Sequence, residues 1–288
     1  MTPARWTILL VAFTLATSFA EDSVFPDTWA RDQLVAWCIV PFDAKKRGPE
    51  ERAQMLKRLG VTRSAYDWRA NHVPTFEEEI QAYQRHGIEM FAFWAGHEEA
   101  FRLFEKYKIT PQIWKTAPSP KGQSEEEKVA QSVANLEALV ARSKELGCKF
   151  GLYNHGGWGG QPENLVAVCE AFRAKGDSHV GIVYNFHHAH ERIATWESDL
   201  EVMKPYLWCL NLNGMIPGGD KEGKKILTLG MGSHEKEMLG VVIRSEYQGP
   251  IGILDHRNET DTEETLRENL AGWEQIQGSL KTSAGKAE

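Results

Sequence analysis

The stretch VGIVYNFHHAH, residues 180–190, decides the fold because a buried strand and a polar loop meet within it. Its first six residues, VGIVYN, are almost continuously apolar, which is typical of a parallel strand buried on both faces. Three of the ten histidines of the chain, His187, His188 and His190, follow this run within four residues. Ligands of parallel sheets bind beyond the carboxyl ends of the strands, so this loop is a candidate site.

Seven further apolar runs bounded by turn residues accompany this one. Together the eight predicted strands cover residues 34–41, 63–68, 88–94, 109–114, 149–154, 180–185, 207–213 and 250–256. Amphipathic helical patterns lie between and after them, at residues 49–59, 75–86, 97–106, 124–146, 162–175, 191–203, 233–247 and 261–280. This alternation predicts an α/β protein with a single-domain (β/α)₈ TIM barrel. An open doubly wound sheet is the alternative, but the turn after the first strand, PFDAKKRGP, lacks its GxGxxG pattern.

The two ends of the chain have a different composition from the barrel. Residues 1–20 combine Arg5, an apolar run and small residues at Ser18 and Ala20, which is the pattern of a cleavable secretory signal. The apolar run at residues 6–16 is too short to span a membrane as a helix, so stable insertion is not expected. We therefore predict export to the periplasm or the medium, a barrel at residues 21–280 and a flexible tail at 281–288.

Charge and cysteine content exclude several classes of partner. The formal net charge of −7, from 33 basic and 40 acidic residues, disfavours nucleic acid as a partner. The four cysteines show no CxxC spacing, so they predict free buried thiols rather than a zinc site or a disulfide scaffold. The sequence does not indicate the oligomeric state.

Polar and aromatic side chains concentrate at the carboxyl ends of the predicted strands. Six of the ten histidines lie there: His72, His155, His187, His188, His190 and His256. Other residues at this rim are Asp67, Trp68, Arg69, Trp94, Trp114, Lys115, Asn154, Trp158, Asn185, Asn211, Asn213 and Asp255. Because active sites of TIM barrels form at this end of the strands, the distribution predicts one site here.

Four segments at this rim resemble a known family. They are LYNHGGW at 152–158, NFHHAH at 185–190, LNLNGM at 210–215 and GILDHRNETDTEETLRENLAGW at 252–273. In this order they resemble the xylose isomerase-like TIM barrels of the sugar phosphate isomerase/epimerase superfamily, and most closely its exported bacterial branch. The resemblance implies a small-molecule carbohydrate as substrate, but it leaves the reaction open, since the barrel serves isomerases, epimerases, dehydratases and endonucleases.

The resemblance also implies a divalent metal held by Glu, Asp, His and Glu after strands five to eight. At these positions the chain has Tyr153, Asn185, Asn211 and either Asp255 or His256, while the substrate-binding histidine of the family is kept as His188. Most of the ligand quartet is therefore missing. The two family glutamates also move the proton beside the carbonyl, so epimerisation by that mechanism is in doubt.

Histidines from three strands offer another possible metal site. His155, His188 and His256 could converge on one divalent transition metal, namely zinc, manganese, iron or nickel, with an oxygen ligand from Asp255 or Asn185. The alternative is that they line a sugar pocket and bind hydroxyl groups. In either case imidazoles serve acid/base chemistry, and we rank His188, His155 and His187 as the catalytic candidates.

Alternation along the strands refines these assignments. Only one of Tyr184 and Asn185 can point into the barrel, and the resemblance selects Asn185. His190 begins a helix, where capping or packing is expected. Asp67 and Arg69 are two residues apart, so they share a face and either form an ion pair or bind substrate. The other predicted substrate-binding residues are Trp94, Lys115, Trp158, Asn185, Asn211 and Asn213, with at least two of the four rim tryptophans expected against the sugar.

The segment at residues 214–233 is long and rich in glycine and lysine, which predicts a lid. Lys224 is expected in solvent, whereas Lys225, beside the apolar ILTL run, could attract an anionic group. Together these features predict an exported enzyme that acts on an unphosphorylated sugar or keto-sugar, as an isomerase/epimerase or a lyase/hydratase. A noncatalytic sugar-binding barrel is the alternative. The endonuclease branch is disfavoured by the acidic balance and the missing ligands.

Overall fold

The computed structural model describes residues 25–284 and contains a closed parallel barrel. Each of its eight strands pairs with the next, and the first pairs in parallel with the last. This arrangement confirms the predicted (β/α)₈ barrel. The predicted signal peptide at 1–20 and the tail residues 285–288 lie outside the described residues.

The strands are shorter than most of the apolar runs that predicted them. They are β1 Val35–Trp37, β2 Arg63–Tyr66, β3 Glu89–Trp94, β4 Gln112–Thr116, β5 Phe150–Tyr153, β6 Val180–Asn185, β7 Leu207–Leu212 and β8 Ile251–Leu254. Strand β4 is displaced along the chain, because it begins after Pro111, which has no backbone N–H to give to a ladder, and continues to Thr116. This extension matters for the site, since it places Lys115 inside the strand.

A helix follows each strand on the outside of the barrel. The α-helices are α1 Pro49–Leu59, α2 Phe76–His86, α3 Glu98–Tyr107, α4 Glu125–Glu145, α5 Pro162–Ala174, α6 Trp196–Met203, α7 Glu235–Arg244 and α8 Thr262–Ala284. Helix α4 starts where the capping pattern predicts, because the Ser124 hydroxyl accepts the Glu127 backbone N–H at 3.2 Å. Helix α8 continues to Ala284, four residues beyond the predicted end of the last helix at 280.

The barrel interior and the layer beneath the helices form two separate apolar clusters. Trp37, Trp114, Tyr153 and Cys209 belong to the inner one. Tyr184 belongs to the outer one and stacks on Trp196 of α6 at a centroid distance of 5.7 Å. Tyr184 therefore faces the helices and its neighbour in the strand faces the barrel, as alternation predicted.

Two further predictions concern residues in and around this core. All four cysteines, Cys38, Cys148, Cys169 and Cys209, are free and buried, which confirms that prediction. Among the residues that the structure describes, no helix has the length and apolar character needed to cross a bilayer.

Candidate active site at the carboxyl ends of the strands

Four of the six rim histidines form one cluster. The rings of His155, after β5, and His188, after β6, have centroids 4.4 Å apart. The ring of His187 lies 3.8 Å from that of His188 and 6.3 Å from that of His256, which follows β8. The expected closeness of His155 and His188 is thereby confirmed. We call these four residues the imidazole cluster.

The imidazole cluster is uncharged at neutral pH. Burial, together with the positive charge of Lys225, lowers the pKa of His188 to about 2. Burial and the charge of Arg69 lower the pKa of His256 to about 4. His187 is only 2% exposed, and burial holds its pKa well below the usual range. His155 is more exposed, and burial followed by the charge of Lys225 lowers its pKa as well. Each ring can therefore donate one hydrogen bond and accept another.

Aromatic side chains of the barrel interior support this cluster from below. The Tyr153 ring lies 5.9 Å from the His188 ring and 4.9 Å from Trp94, in both cases edge to face. The Trp37 indole N–H donates to the Tyr153 hydroxyl at 3.3 Å. Trp94 is thus linked to the cluster through Tyr153. Together these rings make a rigid apolar floor.

Asparagines at the ends of three neighbouring strands form a closed chain of amides. The Asn211 amide group donates to Asn185 Oδ1 at 2.7 Å, and the Asn185 amide group donates to Asn154 Oδ1 at 2.9 Å. The Asn154 amide group in turn donates to the backbone carbonyl of Asn185 at 3.1 Å. All three side chains are completely buried. The chain is tightly packed, since a Cβ placed on Gly252 would lie 1.8 Å from Asn211 Oδ1.

The four positions that hold the metal in the family do not fit a metal ion in this chain. The Tyr153 hydroxyl accepts a hydrogen bond, and burial keeps its pKa well above 10, so it is not an anionic ligand. Asn185 and Asn211 bind each other. Asp255 accepts from the Thr265 hydroxyl at 2.7 Å and from Arg257 at 3.3 Å. Carboxylate donors for a hard cation are therefore missing or already engaged.

The alternative ligand set of three histidines is not assembled either. Among residues 25–284, no group of three or more His, Cys, Asp or Glu side chains is arranged to hold a metal ion. The His188 ring lies against those of His155 and His187 in tilted arrangements, with interplanar angles of 50° and 44°. The structure thus brings His155 and His188 together without forming the predicted site with His256.

Asp67 and Arg69 do not form the predicted ion pair. Arg69 Nη1 donates to the backbone carbonyls of Asp67 and Trp68 at 2.9 Å each. Asp67 Oδ1 accepts the Val40 backbone N–H at 3.2 Å, and Oδ2 is buried without a hydrogen-bond partner. Burial raises the pKa of Asp67 to about 7, although the nearby charge of Arg69 lowers it. Asp67 is therefore a carboxyl group that can exchange a proton near neutral pH.

Several predicted substrate-binding residues lie elsewhere. Lys115 shares the face of Ile113 within β4, which belongs to the outer cluster, so its side chain starts away from the barrel interior. Trp114 is fully buried and donates to Gln112 Oε1 at 2.9 Å, so it is a core residue. The Trp158 indole donates to Glu125 of α4, outside the imidazole cluster. Asn185 and Asn211 are used in the amide chain, whereas Trp94 packs against Tyr153 of the aromatic floor.

His190 and Asn213 hold the loop at residues 214–233. The two ring nitrogens of His190 lie 2.9 Å from the Ile216 carbonyl and 3.0 Å from the Lys225 carbonyl. The Asn213 amide group also binds the Lys225 carbonyl, at 3.3 Å, while its Oδ1 is buried without a partner. His190 is 2% exposed, which agrees with the packing role predicted for it. The loop is therefore fixed where Lys225 acts electrostatically on all four rings of the cluster.

Sequence reasoning missed two residues that shape the site. Phe42, in the loop after β1, packs on His256 with ring centroids 3.7 Å apart. Cys38 follows β1 in a left-handed conformation, with φ of 61°, and lies beside Asp67. No local pattern marks a loop phenylalanine as a site residue. The position of Cys38 directly after a strand was a usable signal, since other rim residues were selected on that basis.

The sequence comparison identifies the family. Residues 27–276 match the model of the xylose isomerase-like TIM barrel family, so the chain belongs to this family. No curated protein sequence matches the chain significantly.

Solved structures share the fold. The chain resembles the 3-keto-D-glucoside 4-epimerase YcjR of E. coli, with 13% identity over 84% of this chain and 98% of that one and a TM-score of 0.64. It also resembles the IOLI protein with a bound zinc atom, with 13% identity, coverage of 86% and 98% and a TM-score of 0.64. A third is the probable 3-DHS dehydratase AsbF of Bacillus anthracis, with 11% identity, coverage of 83% and 97% and a TM-score of 0.62. At these identities the likeness concerns the fold.

Proposed function

We propose that the protein is an exported carbohydrate-active enzyme that moves a proton beside a carbonyl group of a sugar or keto-sugar. The observation that carries this proposal is the imidazole cluster, which lies on an aromatic floor at the rim where barrels of this kind bind ligands. The floor suits the apolar C–H face of a sugar ring. The neutral imidazoles suit its hydroxyl and carbonyl oxygens.

The chemistry follows from the different surroundings of the two histidines. His188 stays neutral and donates a hydrogen bond to the carbonyl oxygen, as a neutral histidine does in triosephosphate isomerase. His155, which is more exposed, takes the proton from the carbon beside the carbonyl. The C–H electrons then form a carbon–carbon double bond, and the carbonyl electrons move to oxygen. Delivery of a proton from water to the other face of the enolate gives epimerisation. Transfer of the neighbouring hydroxyl proton to the enolate oxygen, with return of the His155 proton to the former carbonyl carbon, gives isomerisation. Departure of a β-hydroxyl group, which takes the His155 proton and leaves as water, gives the lyase reaction.

The test measures proton exchange directly. The mature protein is incubated in D₂O with 3-keto-D-glucosides and with common ketoses, and NMR follows deuterium at the carbon beside the carbonyl. The probe includes a 3-keto-D-glucoside because the structurally similar E. coli epimerase is named for that substrate. Enzyme-dependent exchange supports the proposal. Binding without exchange across the panel instead supports a noncatalytic sugar-binding barrel, which the absence of the family's carboxylate pair favours.

Variants then locate the chemistry. His155→Ala and His188→Ala should each lower the exchange rate by about 10²-fold or more, since each removes a positioned acid/base or hydrogen-bonding group. The free energy of unfolding should change by about 1 kcal/mol or less. His86→Ala is the control, because His86 lies in the last turn of α2, at the opposite end of the barrel. Full exchange in both cluster variants, combined with early melting, would assign these histidines a structural role.

Export is part of the same proposal and has its own test. The native protein should begin close to Glu21 when its mass is measured, as expected after cleavage of a secretory signal. A native protein that retains Met1 would contradict export.

A further inference from the structure

We propose that a cavity beside the imidazole cluster binds an oxyanion carried by the substrate, such as the carboxylate of a sugar acid or a sulfate or phosphate ester. This inference rests on the proposed sugar-acting function and specifies its substrate class. The cavity has a volume of about 460 Å³ and lies between the loop after β1 and the turn after β2. Its charged and titratable lining residues are Asp43, Lys46, Arg47, Arg52, Arg69 and His72.

Two of the four cations in this lining are already neutralised. Arg47 pairs with Asp43 at 2.8 Å and with Asp261 at 2.7 Å. Arg52 is buried and pairs with Glu79 at 2.5 Å. Asp43, the one carboxylate among the cavity's lining residues given above, is neutralised by its pairing with Arg47. These ion pairs fix the shape of the cavity.

The other two cations have no acidic partner. Within residues 25–284, neither Lys46 nor Arg69 lies within 4.0 Å of a carboxylate. His72 accepts the Arg69 backbone N–H through Nδ1 at 2.8 Å, and burial lowers its pKa, which favours the neutral imidazole. The cavity thus has two unpaired positive charges, which favours an anionic occupant.

Arg69 is held in a conformation suited to an oxyanion. Its Nη1 is fixed by two backbone carbonyls, of Asp67 and Trp68, which leaves Nε and Nη2 without partners among the described residues. These two groups form one edge of the planar guanidinium, the edge that binds carboxylate, sulfate or phosphate in a bidentate way.

A single aromatic side chain separates this cation from the catalytic cluster. The Arg69 guanidinium lies over the Phe42 ring at 5.4 Å, and Phe42 packs on His256 at 3.7 Å. A sugar bound at the imidazole cluster therefore reaches the cavity with a substituent. Arg69 lines the cavity and offers the cation that a neutral sugar does not need.

The test is a calorimetric binding series with four probes on the full mature chain: D-glucuronate, D-glucose, inorganic sulfate and inorganic phosphate. Arg69→Gln should weaken glucuronate binding at least 10-fold and leave glucose binding unchanged. Arg69→Lys should keep part of the glucuronate affinity, because lysine retains the positive charge without the bidentate edge of the guanidinium. Lys46→Asn should weaken binding about 3-fold or more, and asparagine tolerates the left-handed conformation of this position, where φ is 50°. Rising NaCl should weaken binding to the parent.

Arg244→Gln is the matched control, since Arg244 is an exposed arginine of α7 outside the cavity. Binding of sulfate or phosphate but not glucuronate, lost in Arg69→Gln, supports the site and assigns an ester as its ligand. Equal affinity for glucose and glucuronate, or equal anion affinity in Arg69→Gln and Arg244→Gln, overturns the inference. If glucuronate binds through Arg69 but no deuterium exchange occurs, the proposed enzyme is refuted and the anion site is supported. Failure of the proposed function can therefore be distinguished from failure of this inference.

Discussion

Replacing Asn185 with aspartate restores the residue type that the family places after strand six, and we expect it to destabilise this protein. The Asn185 amide nitrogen donates to Asn154 Oδ1 at 2.9 Å and to the Val183 carbonyl at 3.3 Å. In Asn185→Asp a carboxylate oxygen replaces the donor nitrogen and faces the same two acceptor oxygens, so both hydrogen bonds are lost. The hydrogen bond accepted from Asn211 at 2.7 Å remains. The substitution therefore tests whether the amide chain is a closed structural unit.

The magnitude follows from burial. Two lost hydrogen bonds cost about 1 kcal/mol each. Asn185 is 0% exposed, and an ionised carboxylate left there with no cation beside it costs several kcal/mol more. We expect the free energy of unfolding to fall by about 3–5 kcal/mol at neutral pH, a large part of the roughly 5–15 kcal/mol that stabilises a typical domain.

The pH dependence makes the prediction specific. Burial raises the pKa of the introduced carboxyl in the folded state above its unfolded value of about 3.9. The loss of stability should therefore begin as the pH rises past about 4 and become complete above the folded-state pKa. Below that range the protonated carboxyl can donate to Asn154 and the loss should shrink to about 1 kcal/mol. Urea unfolding at pH 4 and pH 7 measures both values.

The control for this experiment is Asn258→Asp, which makes the same change at an exposed position in the loop after β8. It should alter the free energy of unfolding by about 0.5 kcal/mol or less. An equal loss at both pH values in Asn185→Asp, or no loss at all, would refute the account of the amide chain.

Three further predictions concern neighbouring groups. His190→Ala should lower the free energy of unfolding by about 2–3 kcal/mol, because it removes a buried side chain whose ring nitrogens contact the Ile216 and Lys225 carbonyls. It should also speed proteolysis within residues 214–233, and unchanged cleavage would contradict this. Asp67→Asn should gain stability relative to the parent as the pH rises from about 4 to about 7, since burial raises the pKa of Asp67 to about 7 and penalises its ionised form. Urea unfolding of both proteins measures this, and an equal difference in their free energies of unfolding at pH 5 and pH 8 would argue against it. Dialysis against EDTA should change the melting temperature by about 1 °C or less, because the residues at the family's ligand positions form hydrogen bonds with other protein groups. A larger fall in melting temperature, with metal in the dialysate, would show that another ligand set exists.

The barrel and its functional end followed directly from the sequence. Eight apolar runs separated by helical patterns fix the strand order, and the order fixes which strand ends are neighbours. For this reason the closeness of His155 and His188 could be predicted without any knowledge of side-chain contacts. The inward direction of Asn185 required the family resemblance as well, because alternation alone left a choice between Tyr184 and Asn185.

The finer assignments depended on strand ends and register, which local patterns do not determine. Lys115 was placed beyond β4 because the apolar run stops at residue 114, whereas the strand continues to Thr116 and alternation turns Lys115 outward. The amide chain depends on the pairing of Asn185 with Asn211 across β6 and β7, and a register shift in that ladder precedes this pair. Phe42 reaches His256 from a loop, so no periodic pattern could have indicated the contact.

The residues at the family's ligand positions change the kind of charge that binds at this rim. The family's ligands favour a cation, whereas the residues of this chain favour a negative charge. A divalent cation requires the carboxylates that the family resemblance implies, but here Tyr153, Asn185 and Asn211 are uncharged at neutral pH and Asp255 binds Arg257. The imidazole cluster adds no charge, and Lys225 lowers the pKa of each of its rings. In the reaction that we propose, a negative charge that develops on the carbonyl oxygen would therefore meet neutral hydrogen-bond donors and a fixed lysine where the family offers a metal. Arg69 and Lys225 both lower the pKa of His256, so two positive charges act on this part of the site. We therefore expect a substrate with its own anionic group to bind better than a neutral one.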